Sequence, residues 1–189
     1  MNAFLLVIAA SGLRYMADLI DDEEIYDTAA QIEDDTIDNI RSYCWKEDYY
    51  ARCLINDDRT FRYLGSTHDG LSLDPEIDGT YYLNSFSWAL LANVASEEEI
   101  SSMLDVIDRY LKTDAGLKLC TPVNYDLLDV ITGTSFYFPG DRENGGVFKH
   151  AAMMATVAKE TPPAKKETIR YCREPAITNR LQAPVQRKL

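Results

Sequence analysis

The sequence is short of positive charge. Its 189 residues include 31 Asp or Glu but only 19 Lys or Arg, which gives a formal net charge of −12. A protein that binds the phosphate backbone of nucleic acid needs a basic stripe, and no helix predicted in this chain carries one. Nucleic acid is therefore not expected as a partner.

Cysteine is scarce as well. The four cysteines, Cys44, Cys53, Cys120 and Cys172, lie far apart and form no C-x-x-C pair, so neither a zinc site nor a disulfide framework is indicated. His68 has no second histidine or ligand cluster near it in the sequence, and metal binding is not indicated either. No resident cofactor is expected, and the thiols fit a reducing, cytoplasmic compartment.

Long hydrophobic runs are also missing. Residues 4–10 are apolar, but no basic residue precedes them, and Arg14 and Asp18 interrupt the sequence before a membrane span of about 20 residues is reached. We interpret this region as a helix buried by protein and predict no membrane insertion.

The composition that is present fits one folded domain with a basic tail. Hydrophobic residues make up 46% of the chain and aromatic residues 11%, as in ordinary folded proteins. From Lys159 onward eight Lys or Arg face three Glu, a net +5, so the first 158 residues carry −17. The tail over residues 159–189 has four prolines and no sustained periodicity, which predicts an irregular segment.

The body before the tail is predicted to be all-α. Helices over residues 2–20, 85–94 and 146–158 are apolar on most sides, whereas helices over residues 22–45 and 96–111 carry a single apolar stripe. The second of these striped helices opens with the capping box Ser96-x-x-Glu99. The alternation predicts inner and outer helical layers.

Two non-helical regions separate these helices. Residues 49–55 and 61–65 read as a short β-hairpin around a polar turn, and residues 117–140 contain Pro122, Gly133 and Pro139 without a helical stripe. Loops of this length are usually functional or disordered, and the second one leads directly into the most informative motif.

That motif is FPGDRENGGVFKH, residues 138–150, in which ionisable groups surround Gly145 and Gly146 at the mouth of a helix. Glycines allow a tight turn and close approach of backbone to a ligand. A carboxylate such as Glu143 can accept bidentate hydrogen bonds from sugar hydroxyls, and His150 can donate to an anion from either a neutral or a charged imidazole. The alternatives are a helix N-terminal acid for Glu143 and a histidine satisfied within the fold for His150.

Three stretches resemble one family. They are the block LNSFSWALLANV through CTPV, the block FYFPGDRENGGVFKHAAMMATVA, and the upstream WKEDYYARCLINDDRTFRYLGS. Together they are similar to glycoside hydrolase family 94, the inverting β-glycoside phosphorylases and the related domain of cyclic β-1,2-glucan synthase. The resemblance runs from the first helix to Ala158, and E-N-G-G-x-F-x-H is its most specific part.

The resemblance implies a partial (α/α)6-barrel catalytic domain over residues 1–158. It also implies an enzyme in which inorganic phosphate attacks the anomeric carbon of a β-linked gluco-oligosaccharide and releases α-glucose 1-phosphate with inversion. His150 matches the phosphate-contacting histidine, Glu143 matches the glutamate that faces the acceptor sugar, and Arg142 and Asn144 are grouped with Glu143 as candidate substrate contacts. Arg142 could instead pair with Asp141 or Glu143.

Departures from the family pattern bear on the branch and on activity. Phe86 stands where many members have Gln, and Gly-Asp-Arg precedes Glu143 in place of Gly-x-Lys, which places the chain nearer the β-1,2-glucan branch. The proton-donating Asp belongs to a family segment that has no counterpart in this chain. We therefore predict a fragment that is inactive alone and exposes the inner faces of its helices, and a homodimer of the full-length protein is left open.

Two other functions stay open from the residues alone. An (α/α)-barrel hydrolase would need a second carboxylate as its base, for which Glu143 is the one candidate in the chain. A non-catalytic glucan-binding helical module would bind oligosaccharide without turnover.

Overall fold

A computed structural model describes residues 1–56, 61–127 and 137–160, and it is mainly helical. The long helices are α1 (Asn2–Leu19), α2 (Glu23–Tyr43), α3 (Leu83–Leu91), α4 (Glu97–Val106) and α5 (Lys149–Glu160). A π-helical turn (Ile107–Leu111) continues α4, and a 3-10 turn spans Tyr125–Leu127. All five predicted helices are confirmed, with ends shifted by a few residues.

The contacts between the helices centre on α3. Helix α3 contacts α1, α4 and α5, while α2 packs against α1. The predicted alternation of inner helices (α1, α3, α5) and outer helices (α2, α4) agrees with these contacts. A closed (α/α)6 barrel is not formed by the described residues and stays a prediction for a longer domain.

Local sequence explains where the outer helices begin. The Asp22 side chain accepts a hydrogen bond from the Ile25 N–H at 3.0 Å and caps α2. At α4 the Ser96 hydroxyl accepts from the Glu99 N–H, while the Glu99 carboxylate accepts from the Ser96 N–H. Each cap satisfies backbone donors that the first turn of a helix leaves unpaired.

Short antiparallel hairpins fill the spaces between the helices. Strand β1 (Trp45–Lys46) pairs with β2 (Tyr49–Tyr50), β3 (Cys53–Asn56) pairs with β4 (Phe61–Leu64), and β5 (Lys112–Thr113) pairs with β6 (Gly116–Leu117). The β3–β4 pair is the hairpin expected from the sequence, with Cys53 opposite Leu64. Its predicted turn lies outside the described residues apart from its first position.

The buried residues form two clusters. The larger joins α1, α3, α4 and α5 around side chains such as Phe4, Phe86 and Met103. The members of the smaller cluster come from distant parts of the chain: Leu64, Leu71, Tyr82, Cys120, Val123 and Tyr125. This second cluster supports the segment that carries the motif of residues 138–150.

Helix α1 is not enclosed by the described residues, which corrects the prediction of a buried helix. Phe4, Val7, Ala10 and Ala17 are buried, but apolar side chains on the other side of the helix are exposed, namely Leu5, Leu6, Ile8, Leu13, Met16 and Leu19. The composition is that of an enclosed helix, but α2 and α3 cover only one side. Among the described helices α1 is also long and apolar enough to cross a membrane, a test that core helices and signal sequences pass as well.

The first two residues of the predicted tail are helical, which corrects that part of the prediction. Lys159 and Glu160 are the last two residues of α5, because the helix continues past the apolar run that ends at Ala158. The remainder of the predicted tail, residues 161–189, lies outside the described residues, as does the part of the long loop over residues 128–136.

Candidate functional site

Residues 138–146 form a tight turn that leads into α5. The Asp141 N–H donates to the Phe138 carbonyl at 3.0 Å, and the Asn144 N–H donates to the Asp141 carbonyl at 2.9 Å. The Gly140 N–H in turn donates to the Asn144 carbonyl at 2.7 Å. Because Asp141 and Asn144 face each other as an antiparallel pair, Glu143 lies at the tip of the turn.

The two glycines of the motif serve different purposes. Gly145 has a φ of +99°, in the left-handed region that glycine adopts without strain. At Gly146 a Cβ atom would lie 2.6 Å from the Arg142 carbonyl oxygen and 2.8 Å from the Arg142 nitrogen. Gly145 therefore supplies the bend, and Gly146 supplies the close approach of two backbone segments.

An extended segment over residues 118–124 contacts the turn and holds it in place. The Leu119 N–H donates to the Gly146 carbonyl at 2.8 Å, and Lys118 pairs with Val147 across the same contact. The Cys120 thiol donates to the Glu143 carbonyl at 3.3 Å. Burial raises the pKa of the Cys120 thiol to about 12, so the thiol stays protonated and can donate at neutral pH.

Asn144 is placed differently from the other candidate residues. Its side chain is buried, with 3% exposure. Its Oδ1 accepts from the Val123 N–H at 2.8 Å, and its Nδ2 donates to the Tyr137 carbonyl at 3.1 Å and to the Val123 carbonyl at 3.5 Å. The amide of Asn144 is thus directed into the fold.

Glu143 and Arg142 are both exposed at the tip. The Arg142 guanidinium lies 5.4 Å from the centre of the Tyr137 ring, a cation–π distance. Within the described residues it forms no ion pair with Asp141 or Glu143. The Glu143 carboxylate is therefore open to a ligand from solvent.

His150 is the second residue of α5 and is exposed. Its ring meets the Phe148 ring edge-on, with 5.3 Å between centres. Helix α5 is held against α3 by small side chains on one face, Ala151, Ala155 and Ala158. The first turn of a helix offers unpaired N–H groups and the positive end of the dipole, so the surroundings of His150 favour an anion.

Glu143 and His150 thus flank one glycine turn, with both side chains on the surface. A cavity of about 380 Å³ lies elsewhere, at the corner between α1 and α2, and neither Glu143 nor His150 lines it. Convergence of the two side chains on one ligand stays a prediction.

Two tryptophans and the second histidine of the chain, His68, each have defined contacts within the fold. Trp88 is half-buried against the main core, and Trp45 packs edge-on against Tyr50 with 4.9 Å between centres. The His68 ring bridges two carboxylates, with Nδ1 2.5 Å from Asp78 and Nε2 3.6 Å from Glu47. Among residues 1–56, 61–127 and 137–160, no group of three or more His, Cys, Asp or Glu side chains is arranged to hold a metal ion.

Sequence reasoning missed the segment over residues 118–124 as a support of the site. Its link to the turn consists of backbone bonds and the Cys120 thiol, and nothing in the local sequence connects residues that lie more than 20 positions apart. The one available signal was the Asn before the Gly-Gly pair, since Asn is common in turns where its side chain can hydrogen-bond to backbone groups.

Comparison with known proteins gives the same family as the motif. The sequence model described as "Glycosyl hydrolase 94 superfamily, catalytic domain" matches residues 1–164. A "Cellobionic acid phosphorylase" from Neurospora crassa is 29% identical over 111 residues, which cover 59% of this chain and 13% of that protein.

Two further relatives are also named as phosphorylases. A "3-O-beta-D-glucopyranosyl-beta-D-glucuronide phosphorylase" from Paenibacillus borealis is 27% identical over 157 residues, 83% of this chain and 19% of that protein. An "N,N'-diacetylchitobiose phosphorylase" from Vibrio proteolyticus is 30% identical over 98 residues, 52% of this chain and 12% of that protein. The aligned part of the chain thus spans less than a fifth of the length of each of these relatives. The match over residues 1–164 shows that the chain belongs to the glycosyl hydrolase 94 superfamily, within its catalytic domain.

Proposed function

We propose that this chain is part of a glycoside phosphorylase and that its glycine turn contributes the sugar-binding and phosphate-binding groups. The single observation that carries the proposal is the placement of Glu143 and His150 on either side of Gly145 and Gly146, with both side chains exposed on a backbone fixed by hydrogen bonds. The names of the relatives support the class of reaction.

The proposed reaction breaks a β-glucosidic bond with inversion. A phosphate oxygen attacks the anomeric carbon from the face opposite the leaving group, the bond from that carbon to the glycosidic oxygen breaks, and a carboxylic acid gives its proton to that oxygen. The products are α-glucose 1-phosphate and a shortened sugar. Since phosphate replaces the water and base of an inverting hydrolase, one acid is enough, and we propose that it comes from a segment outside this chain.

Each exposed group has a role that follows from its chemistry. The Glu143 carboxylate accepts hydrogen bonds from hydroxyls of the acceptor sugar. His150 donates to a phosphate oxygen, and the first turn of α5 adds its dipole. Arg142, which stacks on Tyr137 beside the tip, is proposed as a second contact to the sugar.

The finer substrate is also a proposal. Departures around Phe86 and Arg142 favour a β-1,2-linked glucan, whereas the three relatives are named for other substrates. Inorganic phosphate is the proposed co-substrate, without a further cofactor. A cytoplasmic location is proposed because the free thiols Cys44, Cys53 and Cys120 fit a reducing compartment.

Binding to the full 189-residue chain tests the proposal. Sophorose, cellobiose and inorganic phosphate are titrated separately into ¹⁵N-labelled protein, and amide and imidazole shifts are followed by NMR. Glu143→Gln is expected to abolish the response to sugar and to keep the response to phosphate, while His150→Ala does the reverse.

The chain supplies matched controls for both substitutions. Glu24→Gln changes an exposed glutamate on α2, and His68→Ala changes the other histidine of the chain. Neither is expected to alter binding. Wild-type protein that binds neither sugar nor phosphate at millimolar concentration, or Glu143→Gln and His150→Ala variants that bind as the wild type does, would contradict the proposal. Release of sugar without phosphate would favour a hydrolase.

A further inference from the structure

We propose that Asn144 is the positioning residue of the turn: its side-chain amide fixes the backbone that presents Glu143, and it does not itself contact sugar. The inference rests on the proposed function for its link to Glu143. The claim that Asn144 fixes the backbone of the turn depends only on the hydrogen bonds seen in the structure.

The amide of Asn144 uses both of its ends inside the fold. Oδ1 accepts from the Val123 N–H at 2.8 Å, while Nδ2 donates to the Tyr137 carbonyl at 3.1 Å and, at the longer distance of 3.5 Å, to the Val123 carbonyl. Two donors and one acceptor site are thereby committed to backbone groups. With 3% of the residue exposed, little of the amide is left for a ligand.

These bonds tie together parts of the chain that the backbone alone does not join. Tyr137 precedes the turn, and Val123 belongs to the extended segment beneath it. Val123 is itself fixed, since it is 1% exposed, lies in the smaller core cluster and pairs with Ser72. Asn144 therefore anchors the turn to a buried and well-packed segment of the chain.

The backbone of Asn144 closes the same turn. Its N–H donates to Asp141 and its carbonyl accepts from Gly140. A residue whose main chain and side chain are both held leaves little freedom to its neighbour, so the Cα–Cβ direction of Glu143 is set. Fixed placement of a binding group reduces the ordering cost of binding.

An amide is required at this position because the side chain must accept a hydrogen bond from an N–H group and also donate hydrogen bonds to carbonyl groups. Asp is close to Asn in size, but an ionised carboxylate has no donor for the carbonyls of Tyr137 and Val123 and would face them with negative charge. A protonated Asp carries one donor again. Asn144→Asp is therefore expected to weaken the hydrogen bonds that hold the turn at neutral pH and to restore them in acid. A general packing role would not predict this pH dependence.

The test uses the full chain with Asn144→Asp and Asn144→Ala, after thermal melting has established which variants are folded at 20 °C. In Asn144→Asp at pH 7, amide hydrogen exchange at Gly140 is expected to accelerate about tenfold or more, the loss expected for one or two buried hydrogen bonds, and protection should return near pH 4. In Asn144→Ala the Val123 N–H also loses its acceptor, so exchange at Val123 is expected to accelerate as well. Asn39→Asp, on the exposed face of α2, is the control and should show neither effect.

Titration with sophorose and with inorganic phosphate connects the geometry to binding. At pH 7 the dissociation constant for sophorose is expected to rise about tenfold in Asn144→Asp, a change worth about 1.4 kcal/mol. Phosphate, which is bound at His150 on the separately packed α5, should keep its affinity.

The outcomes separate this inference from the proposed function. If the wild type binds no sugar, the proposed function fails, while the exchange rates still decide the role of Asn144. Unchanged exchange at Gly140 in folded Asn144→Asp and at Val123 in folded Asn144→Ala would overturn the inference. Loss of sugar binding with unchanged exchange would also overturn it, because Asn144 would then contact the sugar directly. Should Asn144→Asp not fold at pH 7, Asn144→Ala and the acid-state measurements give the same decision.

Discussion

Single residues in this chain have strict requirements that come from close approach of backbone segments. At Gly146 any side chain would meet the backbone of Arg142, whereas at Gly12, on the exposed side of α1, a Cβ would have nothing within 4 Å. The same substitution is therefore expected to have opposite effects at the two sites.

Gly146→Ala is expected to destabilise the chain by about 1–3 kcal/mol, the usual cost of overpacking, because the Arg142 backbone must move. Gly12→Ala in the helix interior is expected to be stabilising by about 0.5–1 kcal/mol. Urea unfolding followed by circular dichroism measures both. Equal effects of the two substitutions would show that the turn can open to admit a side chain at little cost.

A second residue-scale prediction concerns the charge of Asp48. The Tyr81 hydroxyl donates to its Oδ2 at 3.3 Å, while its Oδ1 is buried with no hydrogen-bond partner among the described residues. Partial burial raises the pKa of Asp48 above its usual value, and this effect outweighs the opposing hydrogen bond from Tyr81. The folded state therefore holds a proton on Asp48 more tightly than the unfolded state does.

The sign of the pH dependence follows from that direction. The contribution of Asp48 to stability is fully present below its unfolded pKa of about 4 and is lost as the pH rises through the higher folded pKa. Asp48→Asn is expected to stabilise the protein at pH 7, by less than about 1 kcal/mol because the group is partly exposed. At pH 3 the difference should vanish. Asp105→Asn, on the exposed side of α4, is the control; a stabilisation by Asp48→Asn that is the same at both pH values would contradict the titration.

At the scale of elements, α4 illustrates a structure that local sequence determines. Both hydrogen bonds of the Ser96–Glu99 capping box are present, and the Glu99 carboxylate also accepts from the Tyr50 hydroxyl at 2.9 Å. The cap therefore joins the start of α4 to strand β2 as well as closing its first turn.

Ser96→Ala is expected to lower the free energy of unfolding by about 1 kcal/mol, because an N–H in the first turn loses its acceptor. Ser101→Ala, at an exposed position within the same helix, should be neutral or slightly stabilising, since Ala is the better helix former. Chemical denaturation of the two variants side by side provides the measurement. A cap variant as stable as the Ser101 variant would mean that water replaces the hydroxyl without loss.

Elements that depend on local pattern could be predicted, whereas those that depend on distant contacts could not. The capping box, the amphipathic stripe of α2 and the β3–β4 hairpin all follow from residues close together in the chain. The buried role of Asn144 could not be foreseen, because its partner Val123 lies 21 positions away. The sequence likewise predicts ordinary α-helix where α4 ends in a π-helical turn, since the periodicity of apolar residues does not distinguish the two.

At the scale of the whole molecule, the distribution of apolar surface is uneven. Helix α3, in the middle of the inner layer, buries Leu83, Phe86 and Ala89, whereas helices at both ends of that layer expose apolar side chains. On α1 the exposed side chains include Leu6 at 47% and Met16 at 56%, and on α5 Met153 is 61% exposed. Soluble monomers rarely leave a contiguous apolar face of this kind uncovered.

This distribution predicts that the chain associates with itself when it is alone in solution. Burying the α1 face removes apolar area from water at about 25 cal/mol per Å², and Gly12 near the middle of that face allows a second helix to approach closely. Sedimentation velocity between about 5 and 200 μM is expected to show a rising average mass, a range set by the micromolar affinities of modest apolar interfaces.

Charge placed on the α1 face should reverse the association without unfolding the chain. The double substitution Leu6→Lys and Leu13→Lys puts two ammonium groups where a partner would pack, while the buried side of α1, which carries Phe4 and Val7, is left intact. The double substitution Gln31→Lys and Asn39→Lys adds the same two charges at exposed positions of α2 and controls for net charge, because the wild type carries −12. A wild-type chain that stays monomeric over the whole range would show that the face is covered within the monomer; equal effects of the α1 and α2 substitutions would show that long-range charge, and not the apolar face, governs association.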